Sequence, residues 1–270
     1  MSFVAELLRV LDTSMTKPEM YGWYHLMCCG LTVIACVVLC LLYKKGFLQK
    51  PHRVLLTVSC IMLVLEVYKQ INYSTSYDNG VVTFDYSWYS FPFQFCDMPL
   101  YTGLLAGILR KGRLYDFLCS FLGTFAIFAG VCVMLYPSTV FVETIGINIH
   151  TMYCHGSMIA VGVYLLYSRT AKPQLRTVLK GSAVFSVAVA IACVFNEIAF
   201  YSGLLETDGF NMFYVSRHQE GSLPLYSLVQ QQVAYPWSLV IYIVGFTVAS
   251  LLVLLVAMGI QKLCSRKAKN

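Results

Sequence analysis

Within the apolar stretch FPFQFCDMPLY an amide, a thiol and a carboxylate fall in four positions, as Gln94, Cys96 and Asp97. A thiol can attack a carbonyl carbon once a base accepts its proton, and histidine is suited to that task near neutral pH. His155 lies in a second apolar run, Asn196 and Glu197 in a third, and Glu66 in a fourth. These residue types fit attack of a thiol on an ester carbonyl. Cys96 would be the nucleophile, His155 the proton acceptor, and Asn196 or Gln94 the donor to the oxyanion. A helix N-terminus above Cys96 favours thiolate, whereas Asp97 and a low dielectric oppose it. A different function is also open. Glu66, Asp97 and Glu197 could form a protonatable or cation-binding cluster in a non-enzymatic binder or transporter, although no inverted repeat of the kind common in secondary transporters is visible. A purely structural or assembly role leaves these polar residues unexplained.

The elements that must position them are membrane helices. Of 270 residues, 58% are hydrophobic and 12% charged, and the mean hydropathy is +0.68, against about 25% charged residues in soluble domains. Runs of roughly 20 apolar residues, enough to span about 30 Å of hydrocarbon, occur near 24–43, 54–73, 91–109, 114–136, 150–167, 182–201 and 235–260. Basic residues mark the cytoplasmic side. They cluster after the first, third, fifth and seventh runs, as at Lys44 and Lys45, Arg110 and Lys111, Arg169 and Lys172, and Arg266 and Lys267. The opposite loops hold Asp78, Asp85, Glu143, Glu206, Asp208 and Glu220 against Arg217. The expected fold is an all-α bundle of seven transmembrane helices, N-terminus outside and C-terminus inside, in one domain spanning 1–270. The net charge of +6 is accounted for by this asymmetry and calls for no nucleic-acid partner.

In that topology Cys96 and His155 each lie about five residues below the outer boundary, on the order of 8 Å at 1.5 Å per residue. Asn196 with Glu197 lies about one and a half turns down, and Glu66 about two. Four helices thus deliver polar groups to one layer, and such groups are costly in lipid unless they face a cavity or one another. Pro92 suits a first helical turn, whereas Pro99, placed inside the 91–109 run, predicts a kink beside Cys96. Gly103 and Gly107 allow a neighbouring helix to approach closely.

Residues 1–23 lack the charged n-region and cleavage site of a signal peptide. Phe3, Leu7, Leu8 and Leu11 recur at helical spacing and predict a short helix in the outer interface. Residues 262–270 form a basic cytoplasmic tail. Eleven cysteines, most of them inside apolar runs, give no disulfide framework. His150 and Cys154 stand one turn apart, as two metal ligands can, but no paired metal motif accompanies them; neither a metal nor a cofactor is expected. The 202–234 segment, long for a loop, suggests a lid or binding element. Tyr77, Tyr86, Trp88 and Tyr89 suggest an interfacial aromatic belt.

FPFQFCDMPLY resembles the LPLHLCD-type signature of the YwaF family of bacterial integral membrane proteins. Asn196 followed by GFNMFYV (209–215), and then Tyr235, Pro236 and Trp237, are similar to that family's NYMFL and GPWPWY elements. The resemblance covers nearly the whole chain, including the number of spans. It departs at Gln94, where the family often has histidine, and at AYPWS, which lacks the leading glycine and second aromatic. The family is similar in turn to the eukaryotic transmembrane protein 164 group, implicated in cysteine-dependent acyl transfer on phospholipids. The resemblance implies that Cys96 accepts the acyl group, that membrane lipids are the partners, and that the chain is a multi-pass protein of a cell membrane, a bacterial plasma membrane. Asn211 of GFNMFYV joins Gln94, Asp97, Glu66 and Glu197 as a candidate for substrate binding.

Overall fold

The computed structural model describes residues 6, 10, 12–78, 81–137, 139–203 and 209–267. The interfacial helix expected from Phe3, Leu7, Leu8 and Leu11 lies outside the described residues. Eight helices are described: α1 (Trp23–Lys44), α2 (Pro51–Ser74), α3 (Met98–Leu109), α4 (Arg113–Leu135), α5 (Ile145–Tyr167), α6 (Leu175–Tyr201), α7 (Pro224–Gln232) and α8 (Trp237–Lys267). A short antiparallel hairpin continues α2, pairing β1 (Thr75–Asp78) with β2 (Val81–Phe84) in the register Thr75 to Phe84.

Six helices are long and apolar enough to cross a membrane: α1, α2, α4, α5, α6 and α8. The expected 91–109 run is shorter than a full span. Residues Phe91 to Gln94 are not helical, Phe95–Asp97 is a single 3-10 turn, and α3 begins only at Met98. Pro99 therefore stands in the first turn of α3, where its missing N–H has no intrahelical partner to lose. This corrects the expected kink, because the α-helix starts at the proline and is not broken by it.

Helices α4 and α5 form the centre of the bundle, with 72% of each apolar window buried, against 6% for α1 and 17% for α8. Helix α4 contains a π-helical stretch, Leu122–Ala126, all of it buried; such wide turns interrupt an α-helix mainly at packed or functional positions. Aromatic rings fill the space between α3, α4, α6 and α8. Phe95 meets Phe185 at 5.0 Å and Phe246 at 5.2 Å between ring centroids, and Phe121 stacks on Phe125 at 5.8 Å. Burying rings of this size removes 150–250 Å² of surface each, so the α3 end bearing Phe95 is anchored on its apolar side.

The close approach expected of Gly103 and Gly107 is present between α3 and α2. A Cβ at Gly103 would collide with the Ser59 hydroxyl, and one at Gly107 would lie 3.0 Å from the Leu56 backbone nitrogen. That packing presses the opening turn of α3 against the polar face of α2.

Helix α5 starts at Ile145, five residues before the expected boundary. Asn148, fully buried, explains the extension. Its side chain accepts the Val142 N–H at 3.0 Å and donates to the Val142 carbonyl at 2.7 Å, tying the preceding loop to the first turn. His150 consequently lies inside the helix, and His155 lies deeper than the apolar run alone indicates.

Candidate functional site

Glu66 of α2 is the hub of a buried polar cluster. Its Oε1 receives Lys69 Nζ at 2.9 Å and Gln70 Nε2 at 2.7 Å, and its Oε2 lies 3.2 Å from His150 Nε2 of α5. Lys69 is one turn along from Glu66 and also reaches Asp97 Oδ1 at 3.7 Å. Asp97 is fixed from its other oxygen, Oδ2, which accepts the Gln94 backbone N–H at 2.7 Å. Both carboxylates are only 7% exposed at the side chain. A buried carboxylate is tolerated when a cation and several hydrogen bonds satisfy it, and here one lysine serves two of them. Gln70 extends the network, donating to the Ser90 carbonyl at 2.6 Å and accepting the Tyr86 hydroxyl at 2.9 Å. Burial first, and then the Glu66 charge, push the Tyr86 phenol up, while Lys69 pulls it down. Tyr86 and Trp88, expected in an aromatic belt, thus turn inward, Trp88 packing on Phe91 and Phe210.

Cys96 sits in the 3-10 turn that opens α3, within electrostatic range of Lys69, Asp97 and Glu66. Cys154, one turn from His150 on α5, lies within range of the same groups. His155 is buried, and its Nδ1 is 2.7 Å from the Thr151 carbonyl. A carbonyl can only accept, so Nδ1 carries the hydrogen and Nε2 is the bare nitrogen. Among the described residues no hydrogen bond joins Cys96 to His155, and no group of three or more potential ligands could hold a metal.

One turn further along each of these helices the lining becomes apolar. Met62 follows Glu66 by one turn toward the start of α2, Pro99 follows Cys96, and Met158 follows Cys154. These three, with Leu55, Gly103 and Val161 and the hydroxyl-bearing Ser59 and Ser157, line a crevice between α2, α3 and α5 with room for about one water molecule.

Gln94, Asn196 and Asn211 are brought together around the segment 209–216 of the long loop. Asn196 donates from Nδ2 to the Met212 carbonyl at 3.0 Å and accepts the Met212 N–H at Oδ1 at 2.7 Å. Gln94 does the same one residue to either side, bonding the Asn211 carbonyl at 2.9 Å and the Phe213 N–H at 2.7 Å. The Asn211 side chain accepts the Ser216 N–H at 3.1 Å, and Tyr242 donates to the Phe213 carbonyl at 3.0 Å. Two amide side chains thus replace the neighbouring strand that an inserted backbone lacks. Phe213 and Tyr214 both have φ of +56°, a left-handed conformation that non-glycine residues hold only where the surroundings fix it. Met212 and Phe213 are almost wholly buried, so this part of the loop is a plug inside the bundle.

Glu197 does not join the other two carboxylates. It follows Asn196 by about 100° around α6 and pairs with Arg217 at 2.8 Å and His218 at 3.2 Å. Its hydrogen bond holds the exposed Arg217 guanidinium above its ordinary range. The three-carboxylate cluster anticipated from sequence is therefore a pair, Glu66 and Asp97, bridged by Lys69. Lys69 and His150 were the members that sequence reasoning missed. Lys69 was overlooked inside an apolar run, although its i, i+3 spacing from Glu66 is a recognisable ion-pair signal. His150 was set aside as half of a metal pair.

The helices and the buried charges define a multi-pass membrane protein with a polar intramembrane site. A family model described as the TMEM164 family matches residues 20–258, and the chain belongs to that family. The YwaF resemblance is consistent with this membership. No curated protein and no solved structure matches the chain.

Proposed function

We propose that the protein is a lipid-directed cysteine acyltransferase or a related acyl hydrolase of a cell membrane. The observation that carries this reading is the position of Cys96 in the turn that opens α3, beside Lys69 and the buried carboxylates Glu66 and Asp97. The carbonyl of a fatty-acid ester would meet the sulfur among these polar groups. In the first step His155 Nε2 takes the Cys96 proton and the sulfur attacks the carbonyl carbon. The C–O bond then breaks, and the departing alkoxide recovers that proton from His155. A thioester on Cys96 remains, to be passed to a hydroxyl group or to water. The second hydrogens of the Gln94 and Asn196 amides are the candidate oxyanion donors, and Glu66, Asp97, Glu197 and Asn211 are the candidates for holding the substrate or the groups that line its path. The rival reading, a cation binder built on carboxylates, is weakened by Lys69, which already occupies the place between Glu66 and Asp97 that a cation would take.

With para-nitrophenyl octanoate as donor, intact-mass measurement is expected to find an octanoyl adduct removable by hydroxylamine. Cys96→Ser should lose that adduct and on the order of 10³-fold or more of turnover, whereas Asp97→Asn should retain part. Full turnover in Cys96→Ser would end the thiol mechanism.

We also propose that the α3 region completes a seven-pass, N-out and C-in arrangement, on the strength of the loop charges. Single cysteines placed at exposed positions of 74–90 and 202–234, such as Thr83 and Gln231, should react with an impermeant maleimide in intact cells, and those in 110–113 should not. The reverse pattern would move the polar site to the inner leaflet.

A further inference from the structure

The two nitrogens of His150 have contrasting surroundings. Its Nε2 faces Glu66 Oε2 at 3.2 Å. Its Nδ1 is buried and has no hydrogen-bond partner, with the side chain only 10% exposed. Glu66 is held by Lys69 and Gln70 on its other oxygen, so its carboxylate is a fixed acceptor for an Nε2 hydrogen. In the neutral imidazole this places the hydrogen on Nε2 and leaves a bare lone pair on Nδ1. Buried polar atoms are nearly always paired, and an exception calls for an explanation such as a bound ligand. A carboxylate on one imidazole nitrogen and an empty lone pair on the other is the arrangement that makes histidine a general base.

In the proposed thiol step the base is His155, whose Nδ1 is committed to Thr151. His150 lies five residues nearer the start of α5, about 140° around it, and within electrostatic range of Asp97, the neighbour of Cys96. The chain from His150 through Glu66 and Lys69 to Asp97 is continuous at 3.2, 2.9 and 3.7 Å. Transfer needs a second deprotonation, that of the acceptor hydroxyl, and besides the regenerated His155 the cluster offers the bare Nδ1 of His150 for that proton.

We infer that Glu66 and His150 form a second catalytic dyad, in which His150 Nδ1 binds and deprotonates an aliphatic hydroxyl that receives the acyl group. This rests on the thioester reading above. The hydroxyl O–H bond breaks, with the proton going to Nδ1. The oxygen bonds the thioester carbon, the C–S bond breaks, and the released Cys96 thiolate recovers the proton from His150. No oxidant or further reactant is required. Glu66 is a positioning residue, acting through the imidazole, and the substrate class is an aliphatic alcohol.

The two half-reactions can be read separately in the purified full chain, with para-nitrophenyl octanoate as donor and n-octanol as acceptor. In His150→Gln the octanoyl adduct on Cys96 should form at the parent rate and accumulate, while its discharge to n-octanol falls by roughly 10²–10⁴-fold. Discharge at the parent rate, or an equal fall in both steps as a merely structural role would give, overturns the proposal. Should His150→Gln not purify as a folded protein, His150→Asn takes its place, removing the imidazole while keeping an amide. It should slow discharge alone, and equal slowing of both steps overturns the proposal in the same way. Absence of any adduct in the parent would instead remove the Cys96 reading and this dyad with it, so the two failures are distinguishable.

Discussion

Lys69→Met is expected to destabilise the protein by about 3–5 kcal/mol, the cost of removing one partner from a buried charged group. The loss should be at the upper end, because Lys69 serves both Glu66 at 2.9 Å and Asp97 at 3.7 Å. Removing it leaves two carboxylates in one low-dielectric site. The double variant Lys69→Met with Glu66→Gln should recover part of the loss, since one of the two stranded charges is then gone. Thermal unfolding in detergent micelles would measure both. An unchanged melting temperature in Lys69→Met would mean that the carboxylates are neutral or hydrated, and the charged cluster described above would be wrong.

The second large effect is expected at Asn196. Substitution by leucine preserves the volume but strands the buried N–H and carbonyl of Met212, which Asn196 satisfies at 2.7 and 3.0 Å. Each stranded group costs about 1–3 kcal/mol, so roughly 2–6 kcal/mol is at stake. Gln94 still holds the residues on either side. The expected outcome is therefore a local release of the 209–216 segment before global unfolding, seen as new protease cleavage there and faster amide exchange at Met212. Protection equal to the parent would show that the plug is held by its apolar side chains alone.

The class of fold was legible because lipid imposes a single requirement, long apolar runs with their backbone bonds closed internally. Six of the seven runs became helices of spanning length. The boundaries that failed were those set by single polar residues. Asn148 reads as a terminator of an apolar run, yet by bonding the Val142 backbone it allows α5 to begin five residues early. That shift moved His150 into the bundle and beside Glu66. Pro99 reads as a helix breaker, and only the start of α3 at Met98 shows it to be a helix initiator. The concentration of polar groups in one region was visible from residue spacing, but their partition was not. Asn196 and Glu197 are adjacent in sequence and serve different partners, because successive helical residues point about 100° apart. Lys69 was less legible because the basic residues that report topology lie between spans, whereas Lys69 lies inside α2. The role of Gln94 could not be foreseen, since the backbone it bonds is more than a hundred residues away and enters the bundle from a loop.

Phe95–Leu109 reaches about 22 Å at 1.5 Å per residue, short of the roughly 30 Å hydrocarbon thickness. The deficit falls at the Phe95 end. Gly107 packs beside Leu56 near the beginning of α2, and Arg110 lies within electrostatic range of His52, so the far ends of the two helices are level while α2 continues for 24 residues. Hydrophobic mismatch of this kind is relieved by thinning of the adjacent leaflet. On the proposed acyl-transfer reading, such thinning over the opening turn of α3 would bring lipid ester linkages down toward the level of the Cys96 sulfur. A helix shorter than the six spanning ones would then spare the protein from lifting a lipid out of the membrane.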